Sequence, residues 1–464
     1  MTKSKICLLS SLVLAITLTS CSTEVPQSSY DVNVSSNNET LNQNESPTED
    51  CVITIAVSGS SNALIAEKIE QFNSENNGYK IECKNYVSFN NGDDELTEYG
   101  NVESFAEIDN QIILDIIKGE SIDIITDFAF NDKGRFNELI KKGAFADMYH
   151  FMNSDNEIHK EDLFENILKL SEFNDKLVTI PLFFSVDTVY GEKMYVGEKE
   201  NWTLDEMIKY WESMPENATF NGQTTRDSVY REILMPNLTS FVDIEKGICS
   251  FNSPEFLKEL NFINSFPSPE TYKTEPDYTV PNFIDQTELF LFNQYHDLFY
   301  DEHQQQKNCT FVGYPSKDGK GAFINTFGRF GISANSTPEK QKGAWLFIRE
   351  LLGYDYQYEF GKYYFPINCN AFMQLGKDEY SKNDESYTYT IQGEEYIGTY
   401  LNYDEYCRFF EYVKGIDKIN TDLNEYIIEI INEEIISMIW GEKSPEETAA
   451  IIQNRVEILV SEKY

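Results

Sequence analysis

The apolar positions of "VITIAV" (52–57) alternate and then run on, the pattern of a strand that becomes buried on both faces. A small polar turn, "SGSSN", follows, after which Ile65, Ile69 and Phe72 recur at helical spacing. A second strand is predicted over "YKIECKNY" (79–86), just beyond an Asn-Gly turn at 77–78. Strand, helix and strand within about 35 residues make a βαβ unit, whose strands are parallel because a helix carries the chain back between them. The next predicted helix places Phe105, Ile108, Ile112 and Ile116 on one stripe and stops at Lys118-Gly119. "IDIIT" (122–126) then reads as a third strand. An open α/β sheet binds ligands beyond the carboxyl ends of its strands, so Ser58–Ser61 and Asp127–Phe130 are predicted to share one mouth.

Further along, helix starts are marked by their caps. Thr203 with Glu206 and Ser444 with Glu447 have capping-box spacing, and Ser253, Thr337 and Ser444 are each followed by proline at the first helical position. Trp202 and Trp345 therefore read as packing residues at helix ends. The last helix sets Ala449, Ile452, Val456 and Leu459 on one stripe, which suits packing rather than a membrane.

The N-terminus has a different pattern. Lys3 and Lys5 precede an apolar stretch from Ile6 to Leu18, too short to span a bilayer and built like a secretory signal. Its ending, Leu18-Thr19-Ser20-Cys21, resembles the lipobox of bacterial lipoproteins, which implies a signal peptide over 1–20 and a lipid on Cys21. Residues 22–50 hold six acidic and no basic side chains and almost nothing to bury, so they are expected to form, with Cys21, a disordered lipid-anchored tether over 21–50. A flexible chain of that length has an end-to-end distance of about 30 Å. The remainder, 51–464, is too long for one ordinary core and right for two domains.

A formal charge of −41 argues against nucleic acid and against anionic lipid as partners. Excluding Cys7 and Cys21, the cysteines are 51, 83, 249, 309, 369 and 407; none forms a C-x-x-C pair, and free thiols or bridges both fit the spacing. His150, His159, His296 and His303 offer no third ligand to any pair, so neither a metal nor another cofactor is expected.

Several stretches, in order, carry a family resemblance. "KGESIDIIT" (118–126) followed by "LIKKGAFADM" (139–148) resembles the extracellular solute-binding proteins of ABC importers, in the family that includes the maltose-binding protein. Phe72-Asn73 at a helix end, "NDKLVTIPLFFSVDTVYGEKM" (174–194), "NWTLDEM" (201–207) and "FVDIEKGICSFNSPEFLKEL" (241–260) extend the likeness. So do Gly331-Ile332-Ser333 with the Ala344-Trp345-x-Phe347 helix, "IINEEI" (430–435), and the final "GEKSPEETAAIIQNRVEILVSE".

The resemblance implies an α/β protein of the periplasmic-binding-protein type II fold, two α/β lobes joined by a hinge that close on a ligand. The first lobe is expected over 51–182 and 316–362 and the second over 187–310 and 363–464, with crossings near Pro181–Val186 and Thr310–Pro315. The implied activity is not enzymatic. A monomer, anchored to the cell membrane through Cys21 and facing outward, would capture a sugar or oligosaccharide and hand it to ABC permease subunits.

Sugar recognition uses planar hydrogen-bonding groups and flat apolar faces. Carried onto this chain, the resemblance nominates Ser58 and Ser60 from the first turn, and Asp127, Phe128, Phe130 and Asn131 after the third strand. It adds Phe183, Phe184 and Ser185 from the first crossing, Phe327 and Arg329 from the strand before Gly331, and Tyr363 and Tyr364. Arg329 has two readings, a fork for a ligand or a salt bridge to one of 78 acids. Only four tryptophans exist, which departs from the family's tryptophan-rich grooves. Two alternatives stay open: a surface receptor for a peptide or other small solute without transport, and a surface glycoside hydrolase with two carboxylates about 5 to 9.5 Å apart.

Overall fold

The computed structural model describes residues 50–58, 65–75, 77–86, 102–118, 122–244, 246–269, 280–299, 307–381, 387–391, 394–398, 403–419 and 425–463. The proposed signal, Cys21 and nearly all of the tether lie outside the described residues, as do Ser60, Gly119 and His303.

The predicted βαβ unit is present. Strand β1 (Cys51–Val57) is followed by helix α1 (Ala66–Ser74), which buries Ile69 and Phe72, and by β2 (Tyr79–Asn85) in parallel register with β1 from Cys51↔Tyr79 to Val57↔Asn85. Gly78 enters β2 with φ +86°, a left-handed conformation that glycine adopts without a Cβ clash. Helix α2 (Val102–Ile117) buries Ile112 and Ile116 but leaves Phe105 exposed. Strand β3 is shorter than the sequence suggests, Ile124–Thr126, and runs parallel to β1.

The rest of the main sheet is joined by antiparallel pairings throughout. It consists of β4 (Ile180–Glu192), β5 (Asp285–Leu289), β6 (Cys309–Phe311), β7 (Phe323–Ile332) and β8 (Phe365–Pro366). The strand order is β6-β4-β7-β3-β1-β2, with β5 and β8 also paired to β4. Thirteen residues of β4 extend about 40 Å. That length lets one strand serve two cores: Ile180, Leu182, Phe183, Phe184 and Val186 pack in one buried cluster and Val189 in another. The second crossing returns beside it, where the Val312 and Gly313 amides both donate to the Val189 carbonyl at 2.9 and 3.0 Å.

The first cluster gathers Ile53, Ile55, Phe72, Ile324 and Phe347; the second gathers Trp202, Phe220, Phe256, Phe283, Ile431 and Ile452. Phe365, Phe372, Tyr406 and Phe409 pack with the first cluster. Both tryptophans named above are packed: Trp202 donates to the Gly313 carbonyl at 2.8 Å and Trp345 to Asp155 at 2.7 Å. In the final helix, Pro445–Lys463, Ala449, Ile452 and Val456 are buried and Leu459 half-buried. Cys51, Cys249, Cys309, Cys369 and Cys407 are free thiols. Among the described residues no helix is long and apolar enough to cross a membrane.

The caps form as their spacing requires. Glu206 N–H donates to Thr203 Oγ1 at 3.4 Å and Thr203 N–H to Glu206 Oε2 at 3.0 Å, closing the box that starts the helix Leu204–Trp211. Thr203→Ala will cost about 1 kcal/mol in a urea melt. A loss no larger than that of an exposed Thr→Ala elsewhere would show that Trp202, not the cap, fixes this helix start.

Candidate binding groove

The strand register defines the site. Asp187 pairs with Glu288 and Val189 with Gln286 across β4 and β5, while Phe183, Ser185 and Asp187 pair with Phe327, Asn325 and Phe323 across β4 and β7. Alternate residues share a face, so Phe183, Ser185, Asp187 and Val189 look the same way as these partners. One end of that face is anchored in the first cluster by Phe183, the other in the second by Val189 and Phe323. The middle is polar. Ser185 Oγ donates to Glu288 Oε1 at 2.6 Å and Asn325 Nδ2 to the same oxygen at 2.7 Å, while Tyr314 OH donates to Asp187 Oδ1 at 2.6 Å. Burial pushes the Asp187 carboxyl up to about 6, against the pull of the Tyr314 bond and with a further push from Glu288.

At the first-cluster end the surface is aromatic. Phe327, half-buried, lies 5.8 Å from the ring of Phe290 and 5.8 Å from Tyr364, and Tyr364 lies 5.9 Å from Phe183. Lys133 places its ammonium 5.5 Å above Phe327. Three half-buried rings beside paired hydrogen-bonding side chains form a surface suited to a ligand with apolar faces and polar edges.

Beside this surface Arg329 resolves its two readings in favour of a salt bridge. Its backbone N–H donates to Asp127 Oδ1 at 2.9 Å, its Nε to Asp127 Oδ2 at 3.0 Å and its Nη1 to Asn137 Oδ1 at 2.9 Å. The guanidinium also covers the Phe136 ring at 4.8 Å. Burial works to raise the Asp127 pKa, and the guanidinium works against it. The pair ties the turn after β3 to β7. Gly328 lets the two close up: its φ is +63°, and a Cβ there would lie 2.7 Å from the edge of the Phe128 ring.

The other nominated residues scatter. Ser58 follows the last residue of β1, half-buried. Phe128 packs edge-on against Phe330 at 6.2 Å, and Phe130 is buried against Phe136 at 5.8 Å. Asn131 is exposed, with its backbone and side-chain amides both donating to Asp109 Oδ1 at 3.0 Å. Phe184 faces the back of the sheet, packed among Phe164, Phe365 and Phe372. Tyr363 is 65 % exposed. The structure thus brings Phe183, Ser185, Phe327 and Tyr364 together and adds Asp187, Glu288, Phe290, Tyr314 and Asn325, which sequence reasoning missed. Alternation in "FFSVD" was a usable signal for Asp187; polar "DQTEL" gave none for β5.

The opposite face of the sheet also bears a concavity. A cavity of about 1010 Å³ is lined there by Tyr295, Phe311, Phe409 and Tyr412 among others, and by none of the nominated residues. Thr188, which alternates onto that face, is hydrogen-bonded to the Tyr412 hydroxyl at 2.7 Å.

A long strand shared by two cores, with a polar and aromatic face between them, is the architecture of a solute-binding protein. The profile of the bacterial extracellular solute-binding protein family matches residues 67–387, and the chain belongs to that family. It is a binding protein and not an enzyme. Three solved structures show the same fold. The extracellular solute-binding protein family 1 from Alicyclobacillus acidocaldarius is 13 % identical with a TM-score of 0.55, over 89 % of this chain and 98 % of that one. The sugar-binding protein MalE of Xanthomonas citri is 12 % identical with a TM-score of 0.56, over 89 % and 98 %. The cyclic α-maltosyl-1,6-maltose binding protein of Arthrobacter globiformis is 12 % identical with a TM-score of 0.52, over 89 % and 100 %. Comparison of the sequence with curated proteins finds no match.

Proposed function

We propose that this protein captures a carbohydrate on the face of β4, β5 and β7 and delivers it to an ABC permease, held at the cell surface by a lipid on Cys21. The observation that carries the reading is the pairing of half-buried rings, Phe327, Phe290 and Tyr364, with the hydrogen-bonded set Ser185, Glu288 and Asn325 on one strand face. Sugars present the matching chemistry, flat C–H faces edged by hydroxyls. Two relatives of the same fold are described as binding sugars, MalE and the cyclic maltosyl-maltose binder. We take the lobes to follow the two buried clusters described above, so that residues 365–381 and 403–416 move with the first lobe, and β4 and the segment 309–314 carry the hinge.

A thermal-shift screen of the full chain tests this, with mono- and oligosaccharides set against amino acids and short peptides. A ligand at 100 times its Kd adds about 2.7 kcal/mol of stability. Phe327→Ala will weaken a sugar hit by roughly thirtyfold in Kd, from about 2 kcal/mol of lost ring contact, while leaving the uncomplexed melting temperature within a degree or two. A peptide hit with no sugar hit would keep the fold and remove the carbohydrate.

A further inference from the structure

A buried pair beside the second cluster is short of one proton. Glu232, on the helix Arg226–Ile233, is 3 % exposed, and its Oε1 accepts from Asn221 Nδ2 at 2.7 Å. The other oxygen of each group, Glu232 Oε2 and Asn221 Oδ1, is buried without a donor among the described residues. A carboxylate oxygen and an amide oxygen are both acceptors, so neither serves the other. A proton on Oε2 changes this, because a carboxylic acid keeps an acceptor oxygen and gains an O–H donor. Two groups already joined by one hydrogen bond then close a second, and a single proton satisfies both bare atoms.

The charges around the pair leave that proton in place. Arg231, on the same helix, turns to Asp227 at 3.8 Å, and Arg226 donates to the carbonyls of Phe266, Met438 and Ile439. Asp285 on β5 and Asp187 on β4 add negative charge, and burial keeps the Tyr314 hydroxyl neutral. Of the helices packed on this one, Pro254–Asn264 brings the buried acid Glu259, and Glu425–Ile439 brings Glu434, which is tied to Lys443 and Arg455. The segment Met235–Phe241 has no titratable side chain. Glu232 is thus left without a bonded cation among the described residues.

We propose that Glu232 holds a proton on Oε2 and donates it to Asn221 Oδ1, a two-bond latch between the helix and the turn 219–222 that opens when the proton is lost. The turn is bonded in its other direction to the start of a groove strand. Thr219 N–H donates to the Pro281 carbonyl at 2.8 Å, Phe283 N–H to the Thr219 carbonyl at 2.9 Å and Ile284 N–H to the Phe220 carbonyl at 3.1 Å. Gly222 N–H donates to Asn282 Oδ1 at 2.7 Å. Residue 285 then begins β5, which carries Glu288 into the groove, so the latch steadies the segment from which that strand starts. Without the proton, a charged oxygen and an amide oxygen are left in a dry interior with no donor, and the turn lifts until water supplies one. The latch is closed below about pH 7 and releases above it.

Hydrogen exchange of the full ligand-free chain at pH 6 and pH 8.5 tests the latch, with each rate divided by that of an unstructured peptide at the same pH. Protection of residues 219–222 and 281–284 will fall about tenfold between the two, because the open turn has an ordinary carboxyl and the closed one titrates at about 7. Glu232→Gln keeps both bonds, accepting at one atom and donating at the other, and will hold the same protection at both pH values. That variant also separates Glu232 from Glu259, which burial raises too. An infrared difference between native and Glu232→Gln proteins reads the proton itself, as a carboxylic acid carbonyl band present at pH 6 and lost at pH 8.5. No such band at pH 6 would overturn the proton and assign an internal water as the donor to both atoms. The band with unchanged protection would overturn the latch, and an equal fall of protection in Glu232→Gln would move the pH effect to another group.

Discussion

Replacing Arg329 with methionine will lower the unfolding free energy by about 3–5 kcal/mol in a urea titration, the range for removing one partner of a buried ion pair. The side chains of Arg329 and Asp127 are 14 % and 2 % exposed, so water cannot replace what the substitution removes. The loss has three parts. Asp127 keeps its backbone donor but loses the Nε–H and the charge that offsets its burial; Asn137 Oδ1 loses its donor; and Phe136 loses the planar group over its ring. Because Asp127 sits in the turn after β3 and Arg329 in β7, the damage falls on the seam between the parallel and antiparallel halves of the sheet. The double variant Arg329→Met with Asp127→Asn restores most of the loss, since the asparagine oxygen still accepts from the residue 329 amide without an unpaired charge. If the single and double variants are equally unstable, the guanidinium acts by packing on Phe136 and not through the ion pair.

This pair also shows where sequence reasoning reaches its limit. Periodicity located β1, α1, β2 and the capped helices because each is decided by residues within a turn or two of one another. Arg329 and Asp127 are 202 positions apart, and an arginine that binds a ligand has the same sequence surroundings as one that binds a carboxylate. The candidate groove was half legible for the same reason. Phe183, Ser185 and Phe327 lie on strands whose apolar runs announce them, whereas Glu288 and Phe290 come from a polar stretch that becomes a strand only because β4 is there to pair with it. Phe184 illustrates the opposite error: it is adjacent to two groove residues in sequence, and a strand turns adjacent side chains to opposite faces.

Glu232→Gln will stabilise the ligand-free protein at pH 8 by about 3 kcal/mol and change little at pH 4. Burial pushes this carboxyl up to about 7; the Asn221 bond and Arg231 oppose the shift, and Asp285 and Asp187 add to it. The sign follows from proton linkage. Between the ordinary carboxyl value of 4.5 and about 7, the unfolded chain gives up a proton that the folded chain still holds, so stability contributed by this group falls as pH rises through that window. Below it both states are protonated and the difference disappears. Glutamine keeps the acceptor for Asn221 Nδ2 and puts an amide where Oε2 has no partner, so the benefit comes without loss of the existing bond. Urea titrations of the native and variant proteins at pH 4, 6 and 8 measure it directly, and a pH-independent difference would mean that Glu232 is already neutral across the range or is solvated in a way its burial denies. Glu259, also raised by burial and also with a bare Oε2, shifts in the same direction, so the comparison must be made on the single variant. Leaving a carboxylate unpaired at this point weakens the protein above about pH 7, and either a proton or the glutamine amide relieves it, which is why the gain from the substitution is confined to alkaline pH.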